Sequence, residues 1–248
     1  MYSSTMNTTT FLQSPTLTEN DAAAVVGVRT TGIYCRPECR PGRSPLPENC
    51  LRFLDAAAAR AAGYRACKKC RPDDGPAEIL QYGHVTTSIG GVFGAMSDKG
   101  LCSLDLLDDR GEEPALDRLR RNFPRARFTR GGNEIEAILE RAVAHVLEGD
   151  PIDDIALDLR GTAFQQQVWQ ALRMIRRGTT TTYGELTRTL GLAPGTARAV
   201  GSACGSNRIS LIVPCHRVLA AGGGLGGYYW GLERKQAFLE AEGCLVKC

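Results

Sequence analysis

Apolar positions along the chain change spacing several times, and each change marks an element. Residues 85–97 and 101–107 alternate apolar with small or polar positions, the period of half-buried strands, and Ser97-Asp98-Lys99-Gly100 supplies the turn of a hairpin. Over 134–147 the spacing becomes helical: Ile135, Ile138, Leu139, Ala142 and Val146 fall on one face, with Asn133 placed to cap the first turn. Thr162 and Gln165 form a capping box ahead of Val168, Leu172 and Ile175, so a second amphipathic helix opens there. Two short helical patterns, 183–190 and 196–204, flank Gly191-Leu192-Ala193-Pro194-Gly195, a helix-turn-helix arrangement. An apolar run over 209–213, read as extended, leads into Pro214-Cys215-His216-Arg217. A glycine-rich loop follows, and then a last helix over 232–242 stopped by Gly243.

The front of the chain has no such regularity. Residues 1–20 are rich in Ser and Thr with little apolar pattern and read as a disordered lead-in. Residues 25–76 form a cysteine- and arginine-rich block with a helical pattern over 49–62, closed by the breaker cluster Cys70-Arg71-Pro72-Asp73-Asp74-Gly75-Pro76. An ordinary helical hairpin would also fit the two short helices. Ala197, Ala199, Gly201, Ser202, Ala203, Gly205 and Ser206, however, leave the second almost without bulk, and Arg198 stands alone on that smooth surface.

With 43% apolar and 23% charged residues the chain can bury a sizeable core. A net charge of +3 does not decide for or against a polyanion partner, because clustering matters more than the sum. No apolar stretch is long enough to span a membrane, and none in the first thirty residues reads as an export signal. The ten cysteines are therefore expected in a reducing cytoplasm, as metal ligands or nucleophiles before disulfides. Three residues separate Cys35 from Cys39 and two separate Cys67 from Cys70. Such pairs can close a tetrahedron around one zinc ion, with Cys50 as a spare, although four unrelated thiols would give the same count. At Cys215 a neighbouring base could produce a thiolate nucleophile, while the plain alternative is a buried cysteine.

The segment Ile212-Val213-Pro214-Cys215-His216-Arg217-Val218 resembles the active-site motif of the O6-alkylguanine-DNA alkyltransferase family, in nearly constant register from about Gly161 to Gly243. The resemblance implies that Cys215 accepts the methyl group, that His216 is the base acting through a water, and that Glu242 orients the histidine. It makes Asn207 the hinge asparagine, whose plain alternative is a helix C-cap. Arg198 becomes the residue that replaces an extruded nucleotide, and Tyr183 and Tyr228 become pocket residues on the DNA side. Two further strings, Val28 to Pro37 and Ala62 to Cys70, are similar to the amino-terminal zinc domain of the Ada family. There the first of four zinc-bound cysteines, by position Cys35, also takes a methyl from a backbone phosphotriester. Arg36, Arg40, Arg65, Lys68 and Lys69 can hold the phosphates, and a purely structural zinc with a solvated basic face is the alternative.

The expected fold class is α+β: a small four-cysteine zinc domain (21–76), a β-rich ribonuclease H-like subdomain (84–156) and a helical, winged-helix-like subdomain with the helix-turn-helix (157–248). The expected function is single-turnover direct reversal of O6-methylguanine, with O4-methylthymine, in double-stranded DNA. One Zn2+, a monomeric state, no membrane partner and a cytoplasmic, nucleoid-associated location complete the expectation. The alternative weighed is a methylation-responsive DNA-binding regulator. Full-length Ada relatives carry a further helix-turn-helix region between zinc and repair domains, and residues 71–83 are too few to hold one.

Overall fold

The computed structural model describes residues 25–39, 45–74 and 78–244, in two compact units that divide between Gly75 and Pro76. The reading of 1–20 lies outside the described residues. In the smaller unit β1 (Val25–Val28), β2 (Ile33–Cys35), β3 (Cys50–Phe53), α1 (Ala56–Ala61) and β4 (Arg65–Ala66) build a sheet of order β3-β1-β2-β4. The helical pattern expected over 49–62 is corrected: its first half is β3, paired antiparallel to β1, and the helix begins only after Asp55, whose carboxylate accepts from Ala58 N at 2.7 Å. Tertiary pairing overrides local preference here. Phe53 is needed against the Tyr64 ring, 5.2 Å away, and both rings pack over the space that a Cβ on Gly27 would fill. Fully buried residues in this core are few, chiefly Val25, Tyr34 and Ala59.

The larger unit begins with β5 (Glu78–Thr87), β6 (Gly90–Ser97) and β7 (Gly100–Leu106), followed by α2 (Glu113–Asn122), β8 (Ala126–Arg130) and α3 (Asn133–Leu147). Its sheet has the order β7-β6-β5-β8, with β8 parallel to β5 and the other pairs antiparallel. The sequence reading placed one strand over 85–97. Two are present, folded at Gly90, whose φ of +97° suits the turn, and the first starts at Glu78, so the connection from Cys70 is shorter than expected. Helix α2 and strand β8 were not foreseen. The cap of α3 is also corrected, to Gly132, with Asn133 as its first residue.

The sheet lies between two layers. Leu80 and Phe93 pack against Leu116, Leu119 and Phe123 of the α2 side. On the opposite face Val85, Val92 and Leu104 meet Ile135 and Leu139 of α3, in a core that runs on into the helical half. Gly94 is glycine because a Cβ there would come within 2.5 Å of Leu139.

That half contains α4 (Ala163–Arg173), β9 (Thr181–Thr182), α5 (Tyr183–Thr189), α6 (Ala197–Gly205), β10 (Val218–Leu219) and α7 (Leu232–Ala241). Thr162 and Gln165 form the expected capping box, and Thr182 with Glu185 forms a second at α5. The run 209–213 is not a strand but a sequence of turns in which Leu211 adopts φ +68°. It is tied to β7 by Leu104 N to Arg208 O at 2.7 Å and Ser210 N to Leu104 O at 3.2 Å. The class is α+β, as expected, and among the described residues no helix is long and apolar enough to cross a membrane.

Candidate functional site

Helices α5 and α6 pack together as a helix-turn-helix, joined by residues 190–196. Val200, Ala203 and Cys204 are the buried side of α6, while Arg198, Ala199, Ser202, Gly205 and Ser206 are exposed, so its outer face is smooth apart from one cation. Trp169 of α4 donates from Nε1 to the Ala203 carbonyl at 2.8 Å and fixes the helix from behind.

Beyond α6 the chain turns through Asn207, which is not the C-cap; Ser206 is. The buried Asn207 side chain accepts from Ile209 N at 3.0 Å and donates to Val213 O at 2.8 Å and to the Cys215 sulfur at 3.3 Å. One amide thus binds the end of the helix, the turn segment and the thiol. Cys215 opens a single 3-10 turn, Cys215–Arg217, instead of ending an extended strand.

His216 is fully buried, and its Nε2 lies 3.0 Å from Glu242 Oε1. Its Nδ1, also buried, has no hydrogen-bond partner among the described residues. Glu242 caps α7, where the helix dipole disfavours a carboxylate unless cations meet it. His216 is joined there by a residue that sequence reasoning missed: Arg217 donates from Nε to Oε2 and from NH2 to Oε1, each at 2.8 Å, and from NH1 to Ile175 O at 2.6 Å. Burial would push the Glu242 carboxyl up, but the hydrogen bonds of His216 and Arg217 and the Arg217 charge outweigh it and hold it at about 2. Burial holds His216 below its ordinary value despite Glu242, so the imidazole is neutral at pH 7. Burial likewise pushes the Cys215 thiol up, opposed by the Asn207 hydrogen bond and the charge of Lys235. Lys235, also missed, is buried and donates from Nζ to Val218 O at 2.6 Å and Leu225 O at 2.5 Å.

Cys215 lies at the bottom of a pocket of ≈ 270 Å³ whose walls are Tyr183 of α5, Gly201 and Cys204 of α6, and Tyr228 and Trp230 of the glycine-rich loop. Tyr183 and Tyr228, singled out from sequence, therefore reach the same cavity; Cys204 and Trp230 were not anticipated. Arg198 stands outside it, exposed on α6.

In the smaller unit the sulfurs of Cys35, Cys39, Cys67 and Cys70 all lie within 4.8 Å of one another, and Cys50 is not among them. Four thiolates bound to one zinc ion are about 3.8 Å apart, the edge of a tetrahedron with 2.3 Å bonds, so the donor set fits that metal. Hydrogen bonding from Cys35 and Cys70 draws Cys39 down to about 4, while the same bonding pushes Cys35 up. Asp73 accepts from Tyr34 at 2.6 Å and from Arg60 at 2.7 Å, tying the strand of Cys35 to the segment of Cys70. Arg65, Lys68 and Lys69 are exposed beside the cluster; Arg40 lies outside the described residues.

Two family models match the chain: the 6-O-methylguanine DNA methyltransferase DNA-binding domain over residues 163–244, and the metal-binding domain of Ada over residues 16–73. A methylated-DNA–protein-cysteine methyltransferase of Mycolicibacterium paratuberculosis is 42% identical, over 66% of this chain and 93% of that protein. The bifunctional transcriptional activator/DNA repair enzyme Ada of Escherichia coli is 29% identical over 90% of this chain and 92% of its own. That alignment runs over 329 residues, so the relative has a segment with no counterpart among the 248 residues here. The O6-methylguanine methyltransferase of Mycobacterium tuberculosis superposes with a TM-score of 0.54 at 39% identity, covering 66% of this chain and 92% of that one. Its complex with DNA superposes at 0.53 and 38% identity, over 65% of this chain and 92% of that one. The chain therefore belongs to the methylated-DNA–protein-cysteine methyltransferases, DNA-binding repair enzymes, in the Ada-type form with an amino-terminal zinc-binding domain.

Proposed function

We propose that the protein repairs O6-methylguanine, and O4-methylthymine, in double-stranded DNA by moving the methyl group once onto Cys215. The reading is carried by the buried His216–Glu242 pair, whose other ring nitrogen has no hydrogen-bond partner among the described residues, next in sequence to a thiol that lines a pocket. α6 enters the minor groove, where its small residues permit close approach and Arg198 fills the space of the extruded nucleotide. Tyr183 and Tyr228 flank the base. A water passes the Cys215 proton to His216 Nδ1, with Glu242 stabilising the imidazolium. The sulfur then attacks the methyl carbon in line, the S–C bond forms as the C–O6 bond breaks, and guanine leaves with that electron pair. The proton returns to the guanine through the same relay. Asn207 steadies the sulfur throughout. A thioether is not hydrolysed by any group present, so one chain repairs one lesion.

At the other end, zinc when bound keeps its thiolates deprotonated. Cys35 accepts the methyl of a backbone methylphosphotriester, and Arg36, Arg65, Lys68 and Lys69 hold the neighbouring phosphates. The protein acts as a monomer in the cytoplasm, on the nucleoid, with 21–76 as the zinc module and the repair module in two parts that meet near residue 157, the first beginning at β5.

Intact mass after incubation with a duplex holding one O6-methylguanine tests this. One methyl is added per chain, none in Cys215→Ala, and the gain persists in Cys35→Ala. Wild-type chain left unalkylated by excess lesion refutes the reading.

A further inference from the structure

The loop 222–231 that walls the Cys215 pocket holds six glycines, four of them at positive φ, so its own backbone does little to keep it in place. Tyr229 on this loop is 63% exposed, yet it is held. The Arg118 guanidinium of α2 stacks over its ring at 4.9 Å from the centroid, and Arg118 NH1 donates to the Tyr229 hydroxyl at 2.5 Å. Arg118 is itself aimed by Asp105 at the end of β7, whose Oδ2 accepts from Arg118 Nε at 3.1 Å. Asp105 is 4% exposed, and its burial requires a cation. Just past the loop, Arg234 NH2 of α7 donates to Leu107 O at 2.5 Å, a second tie on the side of the loop that carries Tyr229. Behind the wall, Asp105, Arg118, Arg208, Tyr229 and Trp230 line a separate polar cavity of ≈ 230 Å³, into which the loop could sag if released.

We propose that Arg118 is a positioning residue for methyl transfer: anchored by Asp105, it clamps Tyr229 and so fixes the wall formed by Tyr228 and Trp230 at the width a flipped base needs. Fixing a residue's backbone costs conformational entropy. The clamp meets that cost during folding, so it is not charged against the bound base. The inference rests on the reading of the Cys215 pocket given above.

The test compares Arg118→Met, Tyr229→Ala and the double variant with the wild type. Single-turnover methylation of Cys215 is measured against lesion-duplex concentration, which separates affinity from the limiting rate. Acrylamide quenching of tryptophan reports the loop, because Trp169 is 2% exposed and Trp230 is the accessible one of two. Each single variant is expected to lower the limiting rate about tenfold, and the double variant no further. Affinity for undamaged duplex stays unchanged, and quenching rises in all three. Unchanged quenching, an unchanged limiting rate, or single effects that multiply in the double variant would overturn the clamp. Arg118→Met with Asp105→Asn removes the bare buried carboxylate and must behave like Arg118→Met; recovery of the wild-type rate would assign the effect to Asp105 instead. If the wild type takes up no methyl, the proposed function fails, while quenching still decides the clamp.

Discussion

Replacing Glu242 by glutamine keeps the shape of the side chain and removes its charge. From an ordinary 4.5 to about 2, at 1.36 kcal/mol per pH unit, the native contacts of this carboxylate are worth about 3 kcal/mol. An independent route gives a similar figure, since removing one partner of a buried pair costs about 3–5 kcal/mol, and Arg217 is left without its counter-charge. Urea unfolding followed by tryptophan fluorescence is the assay, because Trp169 and Trp230 both lie in the larger unit and report it alone. The sign follows from linkage: a carboxylate with a depressed native pKa stabilises fully above the unfolded value and loses that contribution as pH falls through the native one. The wild-type advantage over Glu242→Gln should thus be about 3 kcal/mol at pH 7. His216 is present in both proteins and its depressed value makes each lose stability as pH falls below about 6.5; because Glu242 props that value up, the loss is larger in Glu242→Gln, so the gap is read at pH 7 and above, where the imidazole is neutral in both. A variant within about 1 kcal/mol of wild type at pH 7 would refute the assignment of charge to this site.

Two further outcomes are expected. Asn207→Ala removes three hydrogen bonds at one buried point and should cost about 2–3 kcal/mol in the same unfolding assay, together with slower methylation. Chelation should release one zinc per chain, measured with a colorimetric indicator, and abolish the near-ultraviolet dichroism of Tyr34 and Tyr64 while the tryptophan-monitored transition stays in place. Loss of both transitions together would show that the larger unit depends on the metal.

What could be read from the chain in advance follows a physical divide. Capped amphipathic helices such as α4 carry their instructions within one turn, so Thr162 and Gln165 announced them. The four-cysteine cluster was legible because ligand spacing is a local property. β3 was not, since its strand character comes from β1 and Tyr64, and the β5–β6 fold was hidden because Gly90-Gly91 looked like part of one apolar run. Within the site, residues given a role by the family motif, such as Glu242 and Asn207, were named, and side chains without one were missed. Arg217 stood in the quoted motif, yet nothing local shows that it shares Glu242 with His216. The Arg118–Tyr229 contact joins residues more than a hundred positions apart, and nothing local to either announces it.

Cys215 is 8% exposed, and burial keeps its thiol protonated at rest. A reagent that can be spent a single time is wasted by any stray encounter, and an anionic sulfur in open water would meet peroxides and small electrophiles long before it met a rare lesion. If Cys215 is the acceptor proposed above, the same burial that makes the group sluggish at rest shields it from such encounters and preserves the stock of unused molecules.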